Sequence, residues 1–204
     1  LKSLFKALLM ITGILSMIKC GKGKDSAGGK IMFNGKVVED KNFIVLNNSF
    51  GKDSTKVYYK HHVLTNADPA TFTTLNEHYA MDKNKVYYCD EYRESQTYFL
   101  TKNQKVNIVD NADPASFQAI DDDYAKDKNQ AFFLGNSFKV KDVASFEVVD
   151  RLFSKDKLQV YYNTQFIPNI DGTSFELINN NHAKDKDNYF IYGFPSEVIS
   201  TPLL

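Results

Sequence analysis

The sequence is poor in cysteine, proline and glycine and has no tryptophan: 2, 5, 10 and 0 residues among 204. Two cysteines exclude a disulfide-dense scaffold and any Cys-rich zinc module. Neither sign of charge is in excess, with 25 Lys+Arg against 25 Asp+Glu, which argues against a dedicated nucleic-acid binder. There is no Gly-rich phosphate loop, no Gly-x-Ser-x-Gly and no His-Glu-x-x-His. No cofactor, no metal and no catalytic residue is therefore expected, and the chain is not read as an enzyme. What is present is 43% hydrophobic residues, and aromatics that are all Phe (16) or Tyr (12). That is enough apolar material for a core.

Residues 1–20 read LKSLFKALLMITGILSMIKC. Lys2 and Lys6 make a basic start, and residues 7–18 are uncharged and mostly apolar. A stretch of that length falls short of the roughly 20 residues of a spanning helix and fits the h-region of a secretory signal peptide. Cys20 closes it and a Gly/Lys/Ser segment follows. This arrangement resembles a bacterial lipoprotein signal, although Lys19 stands where a small residue is usual and Met17 where Leu is commonest. The resemblance implies lipidation of Cys20, a membrane attachment through that lipid, and an exported protein of the cell envelope, at the outer membrane. An ordinary signal peptide or an uncleaved anchor is the alternative. The organisation expected is a signal peptide over 1–19, a flexible tether over 20–30 and a repeat domain over 31–204. Removal of 1–19 takes three lysines and no acid, leaving 22 basic and 25 acidic residues.

The repeat is carried by two markers. Asp53, Asp82, Asp127, Asp156 and Asp185 are spaced 29, 45, 29 and 29, and Phe43, Phe72, Phe117, Phe146 and Phe175 keep the same spacings. Two markers in one register define a period of 29 with a single 16-residue insertion, at about 90–109. Each Asp opens turn chemistry, as in Asp82-Lys83-Asn84, and leads into a β-branched and aromatic run such as Val57-Tyr58-Tyr59, Val86-Tyr87-Tyr88 or Val160-Tyr161-Tyr162. A strand running to the Asp turn, through Phe50, Tyr79, Tyr124, Phe153 or His182, makes a hairpin with it. A third short strand is expected near Val140 or Phe166-Ile167. Asp68-Pro69, Asp113-Pro114, Asp142-Val143 and Asp171-Gly172 predict one helical turn or tight corner before each Phe.

The fold expected is all-β: tandem hairpin units of about 29 residues, stacked as a solenoid-like array or curved sheet so that neighbours bury one another. A closed ring, barrel or propeller-like arrangement is the alternative, with Ile31-Met32-Phe33 and Phe190-Ile191-Tyr192 pairing the ends. Four strands in 29 residues is short for a propeller blade.

The motifs Asp82-Lys83-Asn84-Lys85-Val86-Tyr87-Tyr88 and Asp127-Lys128-Asn129-Gln130-Ala131-Phe132-Phe133, with Asp113-Pro114-Ala115-Ser116-Phe117 between them, resemble the DKNYY repeat family over about residues 31–195. The resemblance implies a bacterial repeat protein. It carries no activity and no ligand residues.

Several residues could carry chemistry. Tyr58, Tyr87 and Tyr161 share one face of their strands, and exposed rows of tyrosine suit recognition of a protein or glycan partner. Tyr92 and Tyr98 lie in the insertion, where a break in regularity suggests either a partner contact or the site of an enzyme or assembly factor. The structural alternative there is an extra hairpin, 97–100 returning as 105–109. His61 and His62 are adjacent and face opposite ways on a strand, and His182 occupies an aromatic packing position. Asp121-Asp122-Asp123 reads as a solvated turn rather than a calcium site, because Asn47, Asn76, Asp121, Asp150 and Asn179 recur in step. Cys89 reads as a buried reduced thiol.

Overall fold

A computed structural model of the chain describes residues 30–95, 99, 102–179, 182–192 and 198–202, the last five and residues 191–192 by their backbone alone. The expected signal segment, Cys20 and most of the tether lie outside the described residues, as does Tyr98.

The aspartate of each repeat builds its own turn. Asp82 Oδ1 accepts the Asn84 and Lys85 N–H groups at 2.8 and 2.9 Å. Asp53, Asp127, Asp156 and Asp185 repeat this at residues two and three further on. A side chain standing in for a backbone acceptor fixes the reversal locally, so the strands on either side pair. Asn47, Asn76, Asp121 and Asp150 do the same one strand earlier. The first member of the Asp121-Asp122-Asp123 run is therefore a turn acceptor, as its recurrence implies.

These turns join strands of two to seven residues into antiparallel sheets. The first is the pair β1 (Ile31–Phe33) and β2 (Lys36–Val38). Five four-stranded sheets follow. They are β3 (Ile44–Val45), β4 (Phe50–Lys52), β5 (Val57–Tyr59) and β6 (His62–Val63); β7 (Thr73–Thr74), β8 (Tyr79–Met81), β9 (Val86–Tyr92) and β10 (Asn103–Ile108); and β11 (Gln118–Ala119), β12 (Tyr124–Lys126), β13 (Ala131–Phe133) and β14 (Asn136–Phe138). The last two are β15 (Glu147–Val148), β16 (Phe153–Lys155), β17 (Val160–Tyr162) and β18 (Gln165–Ile167); and β19 (Glu176–Asn179), β20 (His182–Lys184), β21 (Asn188–Tyr192) and β22 (Val198–Pro202).

The hairpin expected in each unit is present as its two middle strands. A further strand flanks it on each side, so 29 residues do hold four strands. Two-residue outer turns make this possible. Asn34-Gly35, Leu134-Gly135 and Asn163-Thr164 have φ of 49 and 75°, 49 and 76°, and 51 and 67°. Positive φ at both central positions matches the twist of a two-residue hairpin. The corner before each Phe is capped as expected. Asp142 accepts the Ala144 N–H over a 3-10 turn at Val143–Ser145, and Asp68 and Asp113 accept from Ala70 and Ala115. Asn66, Asn111 and Asn169, two residues ahead of three of the corners, take left-handed φ of 68, 58 and 64°.

Sheets pack face to face, and the recurrent Phe is shared between neighbours. Phe72 lies 5.8 Å from Phe50 of the preceding sheet and 5.9 Å from Tyr87 of its own. Phe117 lies 5.7 Å from Tyr79 and 5.3 Å from Phe132 in the same way. A ring buried by two units couples them, which makes stability a property of the array. Four cores result, one between each consecutive pair of four-stranded sheets. Gly51, Ala80, Ala125, Ser154 and Ala183 keep one buried position small in step with the repeat. At Gly51 a Cβ would stand 2.4 Å from Phe43 Cζ. Lysines just before the turn aspartates tie units together: Lys52, Lys126 and Lys155 donate to the Phe72, Phe146 and Phe175 carbonyls at 3.2, 3.0 and 2.9 Å.

The terminal strands do not pair with each other. β1 pairs with β2 and β22 with β21, and among the described residues no ladder joins the first and last sheets. Among the described residues the sheets are separate and none closes into a barrel.

Candidate functional site

The site begins at a missing turn. In three of the four other units the third strand is followed by a residue of positive φ, Lys60 (52°), Leu134 (49°) or Asn163 (51°), while in the last unit β21 continues to Tyr192. Each donates its N–H back to the second strand, to Ser49, Asp123 or Leu152. Cys89 keeps that bond, to the His78 carbonyl at 2.8 Å, but not the left-handed backbone. β9 therefore runs straight on to Tyr92, and β10 returns beside it with Asn103 opposite Tyr92 and Ile108 opposite Tyr87. The insertion thus lengthens the third and fourth strands of its unit, where a separate hairpin over 97–109 was expected. The reason is that the alternation of β9 continues unbroken and β10 finds its ladder there.

The lengthened hairpin stands beside the edge shared by the first two four-stranded sheets. Between them lies a cleft of about 600 Å³, open to solvent, lined by Asn48, Ser49, Tyr59, Lys60, Glu77, His78, Asp90, Glu91, Arg93 and Lys102. Three carboxylates and three permanent cations thus share one cleft with a histidine. Lys102 Nζ and Gln104 Nε2 each lie 3.4 Å from Glu91. Asn48 Nδ2 donates to Glu77 at 3.3 Å.

His78 is held on three sides. Its N–H donates to Asn76 Oδ1 at 2.9 Å, and its ring stacks on Tyr88 at 6.0 Å and 21°. Nδ1 is 2.9 Å from the Cys89 carbonyl and 3.6 Å from Asp90 Oδ1. A carbonyl only accepts, so Nδ1 carries the proton and Nε2 of the neutral ring is an acceptor. Cys89 itself is fully buried and unpaired to another cysteine. Burial, then the charge of Asp90, pushes its thiol well above the ordinary range. A thiol in that state is not a nucleophile.

The tyrosines predicted as an exposed row are mostly inside. Tyr87 and Tyr161 are 1% exposed and Tyr58 is half-buried. Their hydroxyls donate to Oδ2 of their own turn aspartates, Asp82, Asp156 and Asp53, at 2.8 Å each. The expected exposure is corrected for a simple reason: a sheet stacked between two neighbours has no solvent face. The same Oδ2 atoms accept the Asp68 and Asp142 N–H groups of the corner at 3.0 and 2.9 Å. Burial would raise the Asp82 and Asp156 carboxyls, but these donors outweigh it and hold both below the usual value. Asp53, more exposed, is held at about 2: burial opposes the shift, and Thr55, Tyr58 and Lys56 donors bring it about.

Tyr92 is 46% exposed at the end of β9, the one predicted binding tyrosine on the lengthened hairpin that the structure describes. His182 contacts the Asn179 side chain at 2.9 Å and the Tyr189 ring at 5.5 Å. Sequence reasoning singled out the insertion that holds Asp90, Glu91, Arg93 and Lys102, and passed over Lys60, Glu77 and His78 as site residues. These three lie in the regular part of the repeat, and no sequence signal sets them apart from their counterparts.

No curated protein and no solved structure matches the chain. The family model described as the DKNYY family matches residues 6–91 and 135–193. With its turn aspartate, its strand aromatics and their period all accounted for by the stacked sheets, the chain belongs to the DKNYY family.

Proposed function

We propose that this chain is a non-catalytic lipoprotein of the bacterial cell envelope that binds a protein or glycan partner through the β9–β10 hairpin and the cleft beside it. Residues 1–19 export it, and a lipid on Cys20 holds it at the outer membrane. Acyl chains contribute about 0.8 kcal/mol per buried CH2, so several on one cysteine make a lasting anchor.

One observation carries the binding reading: the single departure from the 29-residue period creates both a protruding hairpin and the open, mixed-charge cleft. Lengthening these strands serves no core, since none of the added residues 90–92 and 103–105 is buried and Tyr92 is 46% exposed. Binding moves from the tyrosine rows, which are packed, to the edge of the array.

Two experiments test this. Cys20→Ser is expected to shift the chain from the membrane to the soluble envelope fraction, and unchanged partition refutes the anchor. Replacing residues 93–102 with Asn-Gly is expected to abolish capture of envelope partners while leaving the β-sheet circular dichroism intact. Undiminished capture refutes the site.

A further inference from the structure

We propose that the outer edge of β10 is a strand-addition site for an extended segment of a partner polypeptide. The proposal rests on the reading of the insertion as the binding element and specifies the partner's chemistry.

Val109 N–H donates to the Val86 carbonyl at 2.9 Å. The same register pairs Asn107 with Tyr88, Lys105 with Asp90 and Asn103 with Tyr92. Directly opposed residues of an antiparallel pair alternate between exchanging both hydrogen bonds and exchanging none. Residues 103, 105 and 107 therefore turn their backbone groups towards β9, and Gln104, Val106 and Ile108 turn theirs away. The bond from Cys89 to His78 on the other edge of β9 demands the same alternation. β10 ends its sheet, so these three residues present a row of outward N–H and C=O groups.

Length separates this edge from its counterparts. β6, β14 and β18 are two, three and three residues long, and such short edges resist pairing with another chain, while the five-residue β22 ends on Pro202, which has no N–H to offer. β10 has six residues, no proline and no bulge in its ladder. Its side chains choose the partner. Val106 and Ile108, both exposed, lie on one face. Lys105 lies on the other, its ammonium 5.9 Å from the Tyr88 ring centroid. A strand added here puts apolar residues beside Val106 and Ile108 and an acidic residue beside Lys105. A segment alternating apolar with acidic or polar residues fits.

The test uses the full chain in detergent and a panel of eight-residue peptides alternating Val or Ile with Asp or Thr. Controls have the same composition with the apolar residues grouped together. Alternating peptides are expected to bind in preference to the controls. They are expected to slow amide exchange at Gln104, Val106 and Ile108 by about ten-fold or more, a gain equivalent to about 1.4 kcal/mol. The amides of Lys105 and Asn107 are expected to be slow already. Val106→Pro removes an outward N–H and no bond of the β9–β10 ladder, so it is expected to weaken binding about ten-fold with an unchanged fold. Equal binding of both peptide sets, no slowing at the three amides, or undiminished binding by Val106→Pro overturns the proposal. Concentration-dependent protection of those amides without peptide also overturns it, with a second copy as the occupant. If Val106→Pro still captures the envelope partner and the 93–102 replacement does not, strand addition fails while the binding reading stands. If both capture it, the binding reading fails.

Discussion

Replacing Tyr87 with Phe and Asp82 with Asn, singly and together, measures the bond that locks each unit. Asp82 is 4% exposed. Its Oδ1 takes two turn amides, and its Oδ2 takes the Asp68 N–H at 3.0 Å and the Tyr87 hydroxyl at 2.8 Å. Tyr87→Phe removes one bond to a charged acceptor and keeps the ring, which Phe132 shows to be accommodated when fully buried at the equivalent place. The carboxylate keeps three amide donors, so the loss is that of one charge-assisted bond, about 1.5–3 kcal/mol. Asp82→Asn keeps the turn through its carbonyl oxygen but turns an NH2 towards two donors. It should cost about 3–4 kcal/mol, since buried donors lose their acceptor. The double variant should cost about 1–2 kcal/mol less than the sum, because in Asp82→Asn the hydroxyl has already lost its charged acceptor and keeps only the Asn66 carbonyl, at 3.3 Å. Urea unfolding followed by circular dichroism reads the totals. Exchange of the Asn84 and Lys85 amides reads the local part, which matters in an array that opens unit by unit. Additivity within about 0.5 kcal/mol would refute the lock.

The same cycle has a pH signature. The folded carboxyl of Asp82 lies below the ordinary 3.8. A depressed folded value means that the stability is fully present above the unfolded value and is lost as pH falls through the folded one. The coupling should therefore be constant from about pH 5 to 8 and fade only as pH falls below the ordinary carboxyl value. A coupling that instead fades above neutrality would assign it to another group.

Three further outcomes follow from local geometry. Gly51→Ala drives a methyl to within 2.4 Å of the Phe43 ring and should destabilise the first sheets by about 1–3 kcal/mol in urea titration; a neutral result would mean that the ring moves freely. Thr164→Gly relieves a β-branched residue at φ 67° and should stabilise by about 1 kcal/mol in the same assay. In a Cys20→Ser background, Cys89 should resist alkylation at pH 8 in the native chain and react fully in urea, because burial both hides the thiol and raises it; labelling of the native chain would contradict its place in the core.

The period of the array was legible because its markers do separate jobs in every unit. Asp82 and its counterparts make the turn, Phe72 and its counterparts make the inter-sheet contact, and neither role survives substitution by chance. The alternation along Val86-Tyr87-Tyr88 was legible as well, since Tyr87 and Tyr88 do enter different cores. The fate of the second face was not. Alternation says which residues share a side, and only tertiary stacking says whether that side meets water. The outer strands were half hidden for a related reason. His62–Val63 and Asn136–Phe138 are too short to show a period, and the left-handed turns ahead of them use Lys60 and Leu134, residues that give no turn signal. The cleft was least legible, because its walls come from Lys60, Glu77 and Asp90, brought together by stacking and not by spacing.

The stacking also decides where such a protein is free to change. Each inner sheet uses both faces on its neighbours, and its Asp turn is fastened to the preceding corner, as Asp82 is to Asp68. An inserted segment at either place would separate two cores. The outer turn is different: Lys60, Leu134 and Asn163 lie at the rim, and lengthening the strands there adds residues without moving any ring. The second unit does this by placing Cys89 where the first, third and fourth reverse. The thiol fills the core position, and its backbone keeps the bond to His78 while the chain runs on. Variation confined to rims yields hairpins whose faces and edges are both available, whereas the repeated aromatic faces are not. In a stack of this kind the edges are the surfaces left open, and the repeat itself is what holds them in place.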